Sequence, residues 1–314
     1  MHWTYQAPGQ MVFRRPLIDK TSRGIVEDRP LAVVLALFST IGFGAAFVLT
    51  QFALRWMPPW LGAAFSIPTS TLLFWCLAPF SIHPAEVDLS AAGLFAVIGL
   101  LFPAAVTLLN FESNLMGPNI AGAVAGAAPL FAVLPAVMLL GEHLRFWQFS
   151  GIAAIVTGVV LMYAAQRQAF TVRGLWVLAL PLAASAIRGF VQPAIKLGLE
   201  RWHNPIAAVV IGYTVSSAML VLAALVKGRV LEQSFDRRGA LWFAAVGLCN
   251  GSAVLSMYTA LGRGPVTLIA PLIATHPLVT LLLSFRFLKR ERVHARLAAA
   301  MAISVGGVVL LLAT

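Results

Sequence analysis

The second half of this chain repeats the first, and the repeated unit is a series of apolar runs long enough to cross a membrane. At an offset of about 147 residues Gly117-Pro118 meets Gly264-Pro265, Pro129 meets Pro277 and Glu142 meets Glu291. Gly158-Val159-Val160-Leu161 likewise meets Gly307-Val308-Val309-Leu310. A run of about 20 apolar residues spans a hydrocarbon core of about 30 Å as a helix. Inside that core each backbone N–H and C=O must be satisfied within the protein. A duplicated set of such helices is the pattern of a secondary transporter, with its site at the seam between the copies.

Composition supports a chain with almost no mass outside the membrane. Charged residues make up 11% of the 314, against about 25% in soluble domains. The net charge of +11 is spread over short loops, where it suits anionic headgroups better than nucleic acid. Cys76 and Cys249 lie inside apolar runs and read as small buried hydrophobes, not a disulfide. Residues 1–30 carry Arg14, Arg15, Lys20, Arg23 and Arg29 without a long apolar stretch or a signal-peptide pattern.

Ten spans are expected: 31–52, 59–80, 91–114, 119–140 and 146–165, then 174–198, 205–226, 239–261, 266–288 and 294–313. The fold expected is therefore all-α and integral to the membrane, with ten transmembrane helices around a central cavity. Five spans per copy is an odd number, so the copies enter the membrane in opposite senses, as inverted repeats. The domain reading is an N-terminal arm at 1–30, expected to be cytoplasmic and mobile, a repeat at 31–165, a hinge link at 166–173 and a second repeat at 174–313. The basic arm argues for a cytoplasmic N-terminus, with the C-terminus on the same side. Lys227, Arg229, Arg237, Arg238, Lys289, Arg290 and Arg292 argue the other way.

Proline marks the unusual helices: Pro129 and Pro135 in the fourth span, Pro271 and Pro277 in the ninth. A helix proline frees a carbonyl and bends the axis, so these are the candidates for helix breaks and gating. The sixth span carries Ser185, Arg188, Gln192 and Lys196 at spacings that share one helical face. A charge near mid-bilayer costs about 2.5–3.5 kcal/mol on insertion scales, so Arg188 is expected to face the bundle interior. It either holds a substrate or gate group, or caps backbone carbonyls. Lys196 lies closer to the end, where it can snorkel.

At an offset of 145, Phe43 matches Arg188, Phe47 matches Gln192 and Gln51 matches Lys196. A cavity with aromatic surface opposite a cation and an amide suits a solute with an apolar body and an acidic head. The third span offers Asn110 and the eighth Asn250 and Tyr258, as ligand contacts or as interhelical glue. Glu112 and His276 are the candidates for carrying a coupling proton. Both also admit plain structural roles, Glu112 at the interface and His276 as a packing residue. Glu142 and Glu291 recur at equivalent links and read as helix-start acids favoured by the dipole, not as substrate ligands.

Enzyme classes find little footing. Asp19, Asp28, Asp88 and Asp236 all lie outside the spans, so an intramembrane aspartyl pair is missing. No histidines have metal-ligand spacing, and no H-E-x-x-H, G-x-S-x-G or P-loop motif occurs. No cofactor and no metal are expected.

With Phe43-Gly44 through Gln51, Ala128-Pro129-Leu130, Gly141-Glu142-His143-Leu144, Gly151 and Gly158, the chain resembles the drug/metabolite transporter superfamily in its ten-span EamA-domain branch. The second copy adds Tyr258-Thr259-Ala260-Leu261, Gly264-Pro265, His276-Pro277-Leu278 and Glu291, and the likeness covers about residues 31–313. It departs at Arg286-Phe287-Leu288-Lys289-Arg290-Glu291, where the family has a short Gly-Glu turn. The resemblance implies a cavity lined by spans one, three, four, six, eight and nine, and alternating access by rocking of helix groups. It implies export of amino acids, other small metabolites or drugs across a bacterial inner membrane. The partners expected are a small-molecule substrate, membrane lipid and protons, with no nucleic acid, in a functional monomer. Two other readings stand beside it: a lipid-handling protein with a lateral opening, and a non-transporting scaffold or sensor acting through its arm.

Overall fold

The computed structural model describes residues 21–82, 87–101, 128–165, 179–226, 235–287 and 295–313. Among them every regular element is helical: α1 Thr21–Ala53, α2 Pro59–Leu77 with a 3-10 turn at Ala78–Phe80, α3 Leu89–Leu101, α4 Ala128–Leu139 and α5 Phe146–Ala165. The second copy supplies α6 Ala179–Arg201, α7 Pro205–Val226, α8 Arg237–Leu261, α9 Val266–Ile273, α10 His276–Phe287 and α11 Ala295–Leu312. Six stretches are long and apolar enough to cross a membrane: Asp28–Ala53, Pro59–Phe80, Pro205–Ala223, Arg237–Leu261, Val266–Phe287 and Ala295–Leu312. α6, which bears the polar stripe, is not among the six. Leu72, Met138, Leu241 and Val309 are each more than 60% exposed, which is what a lipid-facing rim requires.

Two elements differ from the sequence expectation. α1 begins at Thr21, so residues 21–30 of the expected arm are helical and continuous with the first span through Pro30. The ninth span is not one helix: it divides at Ala274-Thr275 into α9 and α10. The remainder of the arm, the link 166–173, Asn110, Glu112 and Glu291 lie outside the described residues.

Matched positions of the two copies make matched contacts. α5 and α11 cross through glycine, where a Cβ on Gly158 would stand 2.6 Å from Ser304 N and one on Gly307 would stand 2.7 Å from Ile155 N. Gly158 corresponds to Gly307 and Ile155 to Ser304, so each contact is the other with the copies exchanged. Gly151 meets Leu311 on the same seam, and as one number rises the other falls, so α5 and α11 run antiparallel. Gly44 of α1 against Val279 of α10 is echoed by Gly189 of α6 against Phe131 of α4. Small residues let backbones approach closely, which is how helices associate where the solvent is itself apolar.

At one end of the bundle the start of α1 meets the α8–α9 link, with Ala32 against Gly264. The ends of α4, α6 and α8 gather there too. At the opposite end the last turn of α1 meets the start of α8, with Trp56 and Met57 against Gly239. Arg238 lies over the Trp56 ring at 5.2 Å and Phe52 stacks on Trp242 at 5.6 Å, an aromatic collar suited to the headgroup level. Between the ends lies α9, with all eight residues buried.

Candidate functional site

The break in the ninth span leaves carbonyls without helical partners, and neighbouring side chains take them. Thr40 Oγ1 on α1 lies 2.8 Å from Ala36 O and 3.1 Å from Leu272 O. Thr275 Oγ1 donates to Leu272 O at 2.6 Å, and His276 Nδ1 lies 3.1 Å from Ile273 O. The break is thus fixed in place by hydroxyls and an imidazole, not left as a loose joint.

Aromatic surface converges on the same point. The His276 ring stacks on Phe47 at 5.3 Å and 9°, and meets Phe43 edge-on at 6.2 Å and 62°. Gly44 makes this possible, since a Cβ there would stand 2.6 Å from Val279 Cβ. Of the sequence-derived candidates, Phe43, Phe47 and His276 therefore meet at one place. Arg188, on α6, is partly buried. Gln192 is partly buried one turn along, and its Oε1 has no hydrogen-bond partner among the described residues.

Along one stripe of α1 exposure rises from end to end: Ala36 is 0% exposed, Thr40 3% and Phe47 46%, with Gln51 exposed. Exposure on this stripe is thus least near the Ala32–Gly264 end and greatest near the Trp56–Gly239 end.

The Ala32–Gly264 end has a charged centre. α4 ends at Gly141, whose φ of 66° is the left-handed conformation that glycine adopts most readily. This turn sends Glu142 across to the second copy, where Oε1 and Oε2 accept from the N–H groups of Val266 and Thr267 at 2.8 Å each. These amides form the first turn of α9, so the carboxylate caps that helix and meets its positive end. Lys196 Nζ donates to Gly264 O at 2.6 Å and lies 4.0 Å from Glu142 Oε1. The two side chains are 11% and 9% exposed. Glu142 thus corrects the sequence reading: it is a helix-start acid, but for a helix 124 residues later in the chain. Lys196 shares the α6 face with Arg188 but belongs to this junction, about 12 Å along the axis at 1.5 Å per residue.

Other candidates lie elsewhere. Tyr258 and Tyr213 are each 4% exposed. Phe74 meets the Tyr213 ring edge-on at 5.0 Å. Phe74 lies on α2, Tyr213 on α7, and Asn250 and Tyr258 on α8. Pro129 and Pro135 are buried in α4, which runs through Pro135 unbroken. Pro271 lies within α9 and Pro277 opens α10. The sequence reading missed Thr275 and Tyr213. Their signals were a hydroxyl directly before His276-Pro277 and one of only four tyrosines, set in an apolar span.

Among the described residues no cluster of His, Cys, Asp and Glu is arranged to hold a metal ion. A protein of known crystal structure superposes on the chain with a TM-score of 0.76 at 19% identity, covering 90% of this chain and 96% of that one. At that identity the likeness speaks for the fold alone. No curated protein matches the sequence. The profile of the EamA-like transporter family matches residues 30–164 and again 174–313, once over each copy. The chain therefore belongs to the EamA-like transporter family, as an integral, multi-pass membrane protein.

Proposed function

We propose that this protein is a secondary exporter of small amphipathic metabolites, such as amino acids or related acids, working by alternating access. Ten spans form two inverted five-helix repeats, a reading supported by the antiparallel α5–α11 seam and by contacts that exchange with the copies. The even number of spans and the basic arm favour both termini in the cytoplasm of a bacterial inner membrane. Both repeats are in one chain, so a monomer suffices.

The observation that carries the reading is the stack of His276 on Phe47 at the broken ninth span, with the partly buried Arg188 and Gln192 on one face of α6. An apolar solute body lies against Phe43 and Phe47, Arg188 holds its carboxylate, and Gln192 offers an amide. His276 and Glu112 are the groups proposed to carry a coupling proton. The site opens first to one side and then, after rocking of the helix groups, to the other. No bond is made or broken in the solute.

A lipid-handling reading needs a lateral path that also accepts a headgroup. The groove between α4 and α6 holds about 360 Å³, but Leu101, Pro135, Leu139, Phe190, Pro193 and Leu197 give it an apolar lining. That lining favours a solute carried inside the bundle.

Counterflow in proteoliposomes tests the proposal, with labelled amino acids and organic acids, with and without a pH gradient. Specific exchange that Arg188→Ala abolishes in folded protein supports it. Absence of exchange for every compound, from folded and inserted protein, removes it, and a rate indifferent to the gradient removes proton coupling.

A further inference from the structure

We infer that Glu142, Lys196 and the first turn of α9 form an ionic latch that holds one end of the transport path closed. The inference rests on the transporter reading above. It concerns the seal at Glu142 and Lys196, not the stack of His276 on Phe47.

Three segments from different parts of the chain meet at this point: the α4–α5 link, the last turns of α6 and the α8–α9 link. Nothing covalent holds them together, and one carboxylate bridges all three. Glu142 supplies both oxygens to α9 amides, and Lys196 adds its hydrogen bond to Gly264 O. Hydrogen bonds to an ionised group are stronger than neutral ones, and stronger still where water is excluded. Such a contact is strong when complete and costly when half made, which makes it a two-position element and not a soft one.

The latch is also mechanically joined to the site. α9 has eight residues, about 12 Å of helix at 1.5 Å per residue. Its first turn is held by Glu142 and its last carbonyls lie at the break beside His276. α6 links the same two places, with Lys196 at the latch and Arg188 at the site. A solute that draws Arg188 and the break together therefore shifts both helices that the latch clasps.

At the opposite end the residue matching Lys196 is Gln51, which has no cationic group and is exposed, whereas Lys196 is 9% exposed. Lys196 is thus enclosed at its end, and the residue at the matching position of the other repeat is exposed.

Single-cysteine labelling tests this in full-length protein lacking its native thiols (Cys76→Ser, Cys249→Ala). The reporters are Thr267→Cys at the latch, where Thr267 is 5% exposed, and Gln51→Cys at the opposite end. A membrane-impermeant maleimide is applied to vesicles of both orientations. Without a latch change, Gln51→Cys labels and Thr267→Cys does not. With Glu142→Gln, Thr267→Cys labels about ten-fold faster and Gln51→Cys slows, the scale set by losing one charge-assisted hydrogen bond. Lys196→Met leaves the cap on α9 in place and shifts both rates in the same directions by a smaller factor. It carries the test should Glu142→Gln not fold. Rates unchanged in either variant, folded and inserted, overturn the latch. Counterflow distinguishes the two proposals: labelling that switches without any solute exchange keeps the latch and removes the site, and the converse removes the latch alone.

Discussion

The carboxylate of Glu142 and the backbone amide of Thr267 are 125 residues apart in sequence and 2.8 Å apart in space. Together with the bond to Val266, this leaves the first turn of α9 with two of its free N–H groups satisfied from the other copy. Removing the side chain strands both amides and takes away the carboxylate that Lys196 faces at 4.0 Å. Glu142→Ala is therefore expected to destabilise the protein by about 3–5 kcal/mol, the scale for breaking a buried pair. Thermal unfolding in detergent would read it as a clear fall in midpoint, larger than that of Glu142→Gln.

Arg188 is tested by charge and by shape. Arg188→Ala is expected to lower counterflow by at least ten-fold, because a hydrogen-bonded charge contact is worth about 1.5–3 kcal/mol. Arg188→Lys restores the charge without the planar fork and should recover only part of the rate. Equal rates in all three proteins, at equal amounts of folded protein in the vesicles, would remove Arg188 from the site.

The aromatic wall should act on affinity more than on turnover. Aromatic pairs are worth about 0.5–1.5 kcal/mol beyond burial, so Phe47→Ala should raise KM by about three- to ten-fold. Phe47→Tyr keeps the ring that stacks on His276 and should stay near the parent value. Concentration dependence of counterflow separates the two.

Gly158 and Gly307 should behave as a pair. A methyl group on either meets backbone nitrogen of the facing helix at 2.6–2.7 Å, so α5 and α11 must part. Gly158→Ala and Gly307→Ala are each expected to cost about 1–3 kcal/mol, as overpacked substitutions do. Similar falls in the unfolding midpoint would reflect their equivalence, and a neutral Gly158→Ala would contradict the tight crossing.

Asp88 offers a pH test outside the membrane. Its Oδ1 accepts from Ser90 N at 2.8 Å, Ser90 Oγ at 2.7 Å and Ala91 N at 3.1 Å, capping α3. These bonds favour the ionised form, the Ser90 hydroxyl first, and hold the carboxyl below its usual value. The stabilisation is therefore complete above the unfolded pKa of about 3.9 and is lost as pH falls through the lower folded value. Unfolding midpoints of wild type and Asp88→Asn should differ at neutral pH and converge in acid.

What the sequence disclosed was periodic or local. Spans five and seven agree with their helices, because runs of 20 apolar residues leave the backbone no alternative. The Ser185–Arg188–Gln192–Lys196 stripe was readable because helical spacing alone puts those residues on one face. What it hid depends on how helices turn toward one another. Lys196 shares a face with Arg188 yet is held at the Glu142 junction, and nothing in α6 says so. Glu142 binds backbone amides, which every residue has, so no partner at positions 266 and 267 could announce it. Pro271 and Pro277 both lie in the ninth span. The interruption nevertheless falls between them at Ala274-Thr275, where the hydroxyls of Thr40 and Thr275 take the freed carbonyl.

The α5–α11 seam has a consequence for how the molecule is assembled. Because Gly158 against Ser304 and Gly307 against Ile155 are one contact seen from its two sides, the surface is self-complementary, as in a two-fold dimer. Such a surface does not depend on peptide continuity between its partners. Fragments 1–165 and 174–314, co-expressed as separate polypeptides, should recognise each other and reconstitute the bundle. The intervening link then serves to raise the concentration of one half near the other, and not to specify their geometry.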